Sequence, residues 1–173
     1  MPSTRSCLAA LAAMVMLAAC QGKDQSEVEP KRRFISFKMD GKVALSEQSN
    51  RAYYLPGNTT DTDPSNDQAT MLITGYTYTR DVINIRLTAP EAELKPGRTY
   101  TNGTPGNLFA MEMFPDFELL TADEDYGSLT VQVLSMKDSV ISANFSGAMV
   151  SMDDGSMKIV TDGYFKMKYQ KAP

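Results

Sequence analysis

From residue 34 onward, apolar and polar side chains alternate with a period of two. Leu129, Val131 and Val133 alternate with Thr130 and Gln132. Ile141, Ala143, Phe145, Gly147 and Met149 alternate with Ser142, Asn144, Ser146 and Ala148. Met157, Ile159 and Thr161 share a face, as do Phe165, Met167 and Tyr169, and Ile83, Ile85 and Leu87 alternate with Asn84 and Arg86. Successive side chains of a strand point to opposite faces, so this pattern predicts strands with one buried face. No twelve-residue stretch carries a helical stripe, and Glu91 to Lys95 is at most one turn before Pro96. Turn signals separate the runs: Asp40-Gly41, Arg80-Asp81, Lys95-Pro96-Gly97, Lys137-Asp138 and Asp153-Asp154-Gly155. The pattern predicts an all-β fold, a single antiparallel β-sandwich domain, with a lipocalin-like closed β-barrel as the alternative. Strands are expected at 34–39, 42–46, 51–55, 69–79, 82–88, 107–114, 117–121, 128–136, 140–150 and 157–169. Gly163 marks a bulge or bend in the last of them.

The chain of 173 residues is 42% apolar and 22% charged. Its β domain, 33–173, is long enough to bury roughly two-thirds of its unfolded surface. The expected core is Phe34 or Ile35, Leu72 or Ile73, then Ile83, Ile85, Val131, Val133, Ile141, Phe145, Ile159 and Phe165.

Composition removes whole classes of chemistry. There is no His, so mechanisms that need an imidazole base are absent, as is the commonest transition-metal ligand. Two Cys exclude a disulfide framework. A net charge of −4 argues against nucleic acid as partner. Glycoside hydrolysis needs two carboxyls held across one bond, and nothing selects such a pair among the 21 acids. The reading is no enzyme and no cofactor.

Arg5 is the only charged residue before position 23, and Leu8 to Ala19 is a run of twelve apolar residues. As a helix it covers roughly 18 Å, short of a ~30 Å hydrocarbon core, so 1–19 reads as a secretory signal rather than a membrane span. The run ends in Leu17-Ala18-Ala19-Cys20, which resembles the bacterial lipobox. The resemblance implies cleavage before Cys20, a diacylglyceryl thioether on its sulfur, and membrane anchoring by acyl chains. Residues 20–32 then read as the lipidated Cys and a flexible tether, because Val28 is its one strongly apolar residue. Gln21, in place of the Asp that retains lipoproteins in the inner membrane, implies the outer membrane, facing the periplasm or the cell surface.

Three stretches are similar to small cell-envelope lipoprotein families of the Bacteroides group, whose function is unknown. They are Phe37-Lys38-Met39-Asp40-Gly41-Lys42, Leu94-Lys95-Pro96-Gly97-Arg98-Thr99-Tyr100, and the pair Ile141 to Gly147 and Ile159 to Phe165. The chain departs from them in having Ala143 where Gly is usual, and no Trp. This likeness implies a β fold and a lipid anchor, and no activity. Asp138-Ser139-Val140 is similar to the short sites that carry O-glycans in that group, which makes Ser139 a candidate for glycosylation at a hairpin tip. The sequons at Asn58, Asn102 and Asn144 carry no such meaning in a bacterium.

Asp61, Asp63, Ser65 and Asp67 stand at positions 1, 3, 5 and 7 of a calcium loop, but Asn66 replaces its Gly and Leu72 its bidentate Glu. The expectation is a solvated loop and no metal. Asp123-Glu124-Asp125 reads as a polar hairpin tip. The methionines, among them Met111, Met113, Met149, Met152, Met157 and Met167, read as adaptable core filling. Tyr76 and Tyr78 share a strand face, and are either a platform for the C–H faces of a sugar or a pair packed across strands in the core. The functional expectation is a membrane-anchored, non-catalytic envelope module that binds a glycan or a protein. The alternative is a carrier of a small apolar ligand.

Overall fold

The computed structural model describes residues 32–171. Eleven strands follow in order: β1 (Phe34–Met39), β2 (Lys42–Leu55), β3 (Thr70–Thr77), β4 (Val82–Thr88), β5 (Thr99–Thr101), β6 (Leu108–Met113), β7 (Glu118–Ala122), β8 (Ser128–Lys137), β9 (Val140–Ser151), β10 (Met157–Lys168) and β11 (Gln170–Lys171). They form one sheet. β10 pairs with β1 on one side and with β9 on the other, which closes the sheet into an antiparallel barrel. The all-β antiparallel expectation holds; its barrel alternative describes the closure, and the sandwich is met only in part. Alternation says which side chains face inward, but not whether the two outer strands meet.

The barrel is a meander of eight staves. β5 and β6 run in the same direction as two halves of one stave, separated by residues 102–107. β7 and β8 are two halves of the next, separated by 123–127. Thus β6 pairs with β7 while β5 pairs with β8. Two asparagines carry the hydrogen bonding where these ladders break. Asn102 Oδ1 accepts from the Leu129 amide at 3.0 Å, and its Nδ2 donates to the Gly127 carbonyl at 3.3 Å. Buried Asn107 donates to the Thr101 carbonyl at 2.8 Å and accepts from the Thr88 amide. Each replaces ladder bonds that would otherwise leave buried backbone groups unpaired.

β2 joins two expected strands into one, through irregularities between Ser46 and Arg51 that include Ser49 at φ 56°. Ser46 sits buried at this bend. Its Oγ accepts from the Tyr76 amide at 2.8 Å, and Asn50 Nδ2 donates to its carbonyl at 2.9 Å. Gly75 faces the bend: an added Cβ would lie 2.7 Å from both Ser46 Oγ and Ile35 Cδ1. β5 and β11 are additions to the expected strands.

Side chains fill the interior, as expected for a barrel of this strand number. Phe37, Phe109, Phe145 and Phe165 pack at its centre, with ring centroids 5.4–6.1 Å apart along the contacts of Phe145. Ile35, Ile73, Ile83, Ile85, Val131, Val133 and Ile141 are buried as expected. Ile159 is a correction, because it is exposed and Val160 takes the inward place. The register slips between Val160 and Gly163, so Thr161 and Asp162 both face out and Gly163 returns to the core phase. The bulge expected at Gly163 is what moves the inward position from 159 to 160. Met71, Met111, Met149 and Met167 are core residues, whereas Met152 and Met157 are exposed.

Candidate functional site

The outer faces of β8, β9 and β10 form a concavity of about 430 Å³. Outward positions of β8 supply Thr130 and Gln132, β9 supplies Asn144 and Ser146, and β10 supplies Asp162 and Tyr164. Register arranges them in rows. Gln132 stands opposite Asn144, which stands opposite Tyr164, and Thr130 stands opposite Ser146. Cross-strand neighbours lie about 5 Å apart at Cβ, so the polar ends of one row reach a single small molecule. The bulge at Val160–Gly163 shapes the hollow, and Gly163 and Phe145 line its floor.

Among the described residues, the side chains of Thr130, Gln132, Asn144 and Ser146 have no hydrogen-bond partner. Two amides and two hydroxyls therefore present their donors and acceptors outward. Asp162, at φ 51°, is the one carboxylate lining the hollow among the described residues, and its Oδ2 lies 2.8 Å from Lys38 Nζ. That hydrogen bond, with the carboxylate's charge, holds the Lys38 ammonium above its ordinary range. The Tyr164 ring rests against Phe34 with centroids 5.5 Å apart, and the Arg32 guanidinium sits over the other partner ring, Phe34, at 5.7 Å. The aromatic edge of the hollow is thus braced from behind.

A second hollow, about 320 Å³, opens at the barrel end that carries the β1–β2, β3–β4 and β6–β7 turns. Residues 42–45 of β2 run past the last β3 pairing, Ser46 with Thr77, and leave a cleft. Met39, Met111 and Met113 line it with Ala44, Leu45 and the exposed Val43 and Tyr78.

The sequence-derived candidates fall in separate places. Tyr76 and Tyr78 are 43% and 65% exposed, so packing within the core is corrected. Tyr76 lies on the outer face of β3, while Tyr78 lies beyond the strand end and its hydroxyl donates to Glu47 Oε2 at 2.8 Å. No ring contact joins the two among the described residues. Ser139 is exposed in the β8–β9 hairpin, where Asp138 at φ 53° and Ser139 at φ 60° form the two-residue tip. Cys20 lies outside the described residues.

In the acidic loop, the carboxylates serve the loop itself. Asp61 Oδ1 accepts from the Asp63 amide at 3.0 Å, and Asp63 Oδ1 accepts from the Ser65 amide at 2.9 Å. Asp63 caps the short 3₁₀ turn Pro64–Asn66, and its hydrogen bonds from Ser65 hold its carboxyl below the ordinary range. Among the described residues, no three His, Cys, Asp or Glu side chains stand close enough together to hold a metal ion. Asp123 likewise accepts from the amides of Asp125 and Tyr126, both at 3.0 Å, but the expected hairpin tip is corrected: β7 and β8 both pair antiparallel with β9, so this loop interrupts one stave rather than reversing the chain.

The outward residues of the β8–β9–β10 hollow carry no signal of a shared site in the sequence. They read as the solvent face of alternating strands, and only the register shows that they share one row. No family model, curated protein or solved structure matches this chain.

Proposed function

We propose that this chain is a bacterial lipoprotein, anchored through Cys20 at the outer membrane, whose barrel is a non-catalytic module that binds a neutral saccharide. The observation that supports the reading is the hollow on β8, β9 and β10. Its amides and hydroxyls are without partners among the described residues, and sugar hydroxyls both donate and accept. Tyr164 offers an apolar ring at the edge, suited to the C–H face of a pyranose. A volume of about 430 Å³ falls within the size of small-ligand sites.

Affinity electrophoresis in gels cast with mannan, xylan or β-glucan tests the saccharide. One of these should retard the chain. Gln132→Ala with Asn144→Ala should weaken retardation about tenfold, as expected when two hydrogen bonds of ordinary strength are lost. Tyr76→Ala with Tyr78→Ala should leave it unchanged. Equal retardation of all three proteins would remove this face from the reading.

The anchor has its own test. In a host fed a clickable fatty acid, the parent chain should be labelled and should float with membranes. Cys20→Ser should be unlabelled and soluble. A parent chain that carries no label removes the lipoprotein part.

The methionine-lined mouth supports the second reading, a carrier of a small apolar ligand. Native mass spectrometry of protein from its own host reads any ligand retained there.

A further inference from the structure

A third hollow, about 250 Å³, lies where the chain enters the barrel. It is lined by Arg33, just before β1, by Arg51 and Tyr53 of β2, by Lys168 at the end of β10, and by Asn50 and Gln170. Arg33, Arg51 and Lys168 are all exposed. Among the described residues none of the three has a carboxylate partner, whereas Arg32, Lys38, Arg98 and Lys158 each have one. Among the described residues, no carboxylate lines the hollow. Three cations without a carboxylate partner among the described residues thus line one cleft in a chain of net charge −4. Like charges held together without an internal counter-ion repel one another, and an external anion relieves that repulsion.

The position of the cleft identifies the anion. Residues 21–32 separate Cys20 from the barrel, and twelve residues span at most about 40 Å. On the reading that Cys20 carries lipid, this segment keeps the entry end of the barrel within reach of the bilayer surface. We propose that Arg33, Arg51 and Lys168 form a docking site for the phosphates of anionic phospholipid headgroups. The site would seat the barrel on the membrane by its entry end. The acyl chains would hold the protein to the bilayer and the cleft would set its orientation, so the saccharide hollow would keep a fixed attitude to the surface.

Vesicle sedimentation of the mature chain carrying Cys20→Ser tests this without the acyl chains, so failure of acylation and failure of the cleft are read separately. The chain should sediment with vesicles one-third phosphatidylglycerol in phosphatidylcholine, and not with phosphatidylcholine alone. Each cation near such a surface contributes roughly fivefold to partitioning. Arg33→Ala, Arg51→Ala and Lys168→Ala together should therefore reduce binding about a hundredfold, with the thermal midpoint unchanged. Salt at about 0.5 M, where the Debye length is roughly 4 Å, should abolish binding. Equal binding to both vesicle types, or a triple variant that binds like its parent, would overturn the proposal. So would titration with inorganic phosphate that saturates the cleft while the vesicles stay unbound, because the site would then serve a soluble anion.

Discussion

A Phe145→Ala variant of the full chain should unfold with a free energy about 3–5 kcal/mol below that of its parent. Phe145 is 3% exposed and stands in the middle of β9. Its ring meets Phe109 edge-on at 5.4 Å, Phe37 at 5.7 Å and Phe165 at 6.1 Å. Removing it therefore strips three aromatic contacts at once and leaves a void at the closed centre of the barrel. The neighbours have little freedom to refill that void. Phe37 and Phe165 sit on strands hydrogen-bonded on both sides, and Gly163 already abuts the Phe145 ring, where an added Cβ would lie 2.6 Å from it. Against a typical total of 5–15 kcal/mol, the loss is a large fraction of the fold. Urea unfolding followed by fluorescence and circular dichroism measures it, and a change under about 1 kcal/mol would show that the ring is not a core element.

The same residue shows what was legible in the sequence. Phe145 was readable as core because Ile141, Ala143 and Phe145 alternate with polar neighbours over several periods. Ile83, Ile85, Val131 and Val133 were readable for the same reason, and all are buried. Period two fails where the strand itself is irregular. Ile159 continues the phase of Met157, but the slip before Gly163 sends Val160 inward instead. β5 is three residues, Thr99–Thr101, too short to show a period. Closure was not local information at all, since it depends on β10 meeting both β1 and β9. The saccharide hollow was hidden for a related reason. Gln132, Asn144 and Tyr164 are far apart in the chain, and each alone is an ordinary outward residue of a strand. Only the pairings of Gln132 with Asn144 and of Asn144 with Tyr164 put them in one row. Tyr76 and Tyr78 stand two residues apart, which in an unbroken strand puts them on one face, yet the turn that follows β3 carries Tyr78 away from the strand.

An Asp81→Ala variant should lose about 2–3 kcal/mol, the next largest effect expected of a single substitution. Asp81 is 4% exposed, between β3 and β4. Its Oδ2 accepts from Thr77 Oγ1 at 2.8 Å and from Thr79 Oγ1, which fixes the hairpin turn that includes Arg80 at φ 71°. Its Oδ1 accepts from the Phe114 amide at 2.9 Å and so ties that turn to the one between β6 and β7. Alanine leaves this amide without its acceptor, while the threonine hydroxyls, nearer the surface, rotate toward water. The cost therefore falls mainly on one charge-assisted bond and one stranded N–H group. Asp81→Asn keeps an acceptor for Phe114 but cannot accept from both hydroxyls, so it should recover about half of the loss. Chemical unfolding gives the energies, and amide hydrogen exchange at Phe114 gives the mechanism. Protection there should fall in the alanine variant and persist in the asparagine variant. Because Asp81 also lines the methionine mouth, loss of this tie would loosen one wall of that hollow without touching the hollow on β8–β10. Saccharide retardation should therefore survive Asp81→Ala at temperatures where the variant stays folded. If retardation were lost together with Phe114 protection, saccharide binding would depend on the mouth rather than on the row Gln132, Asn144 and Tyr164.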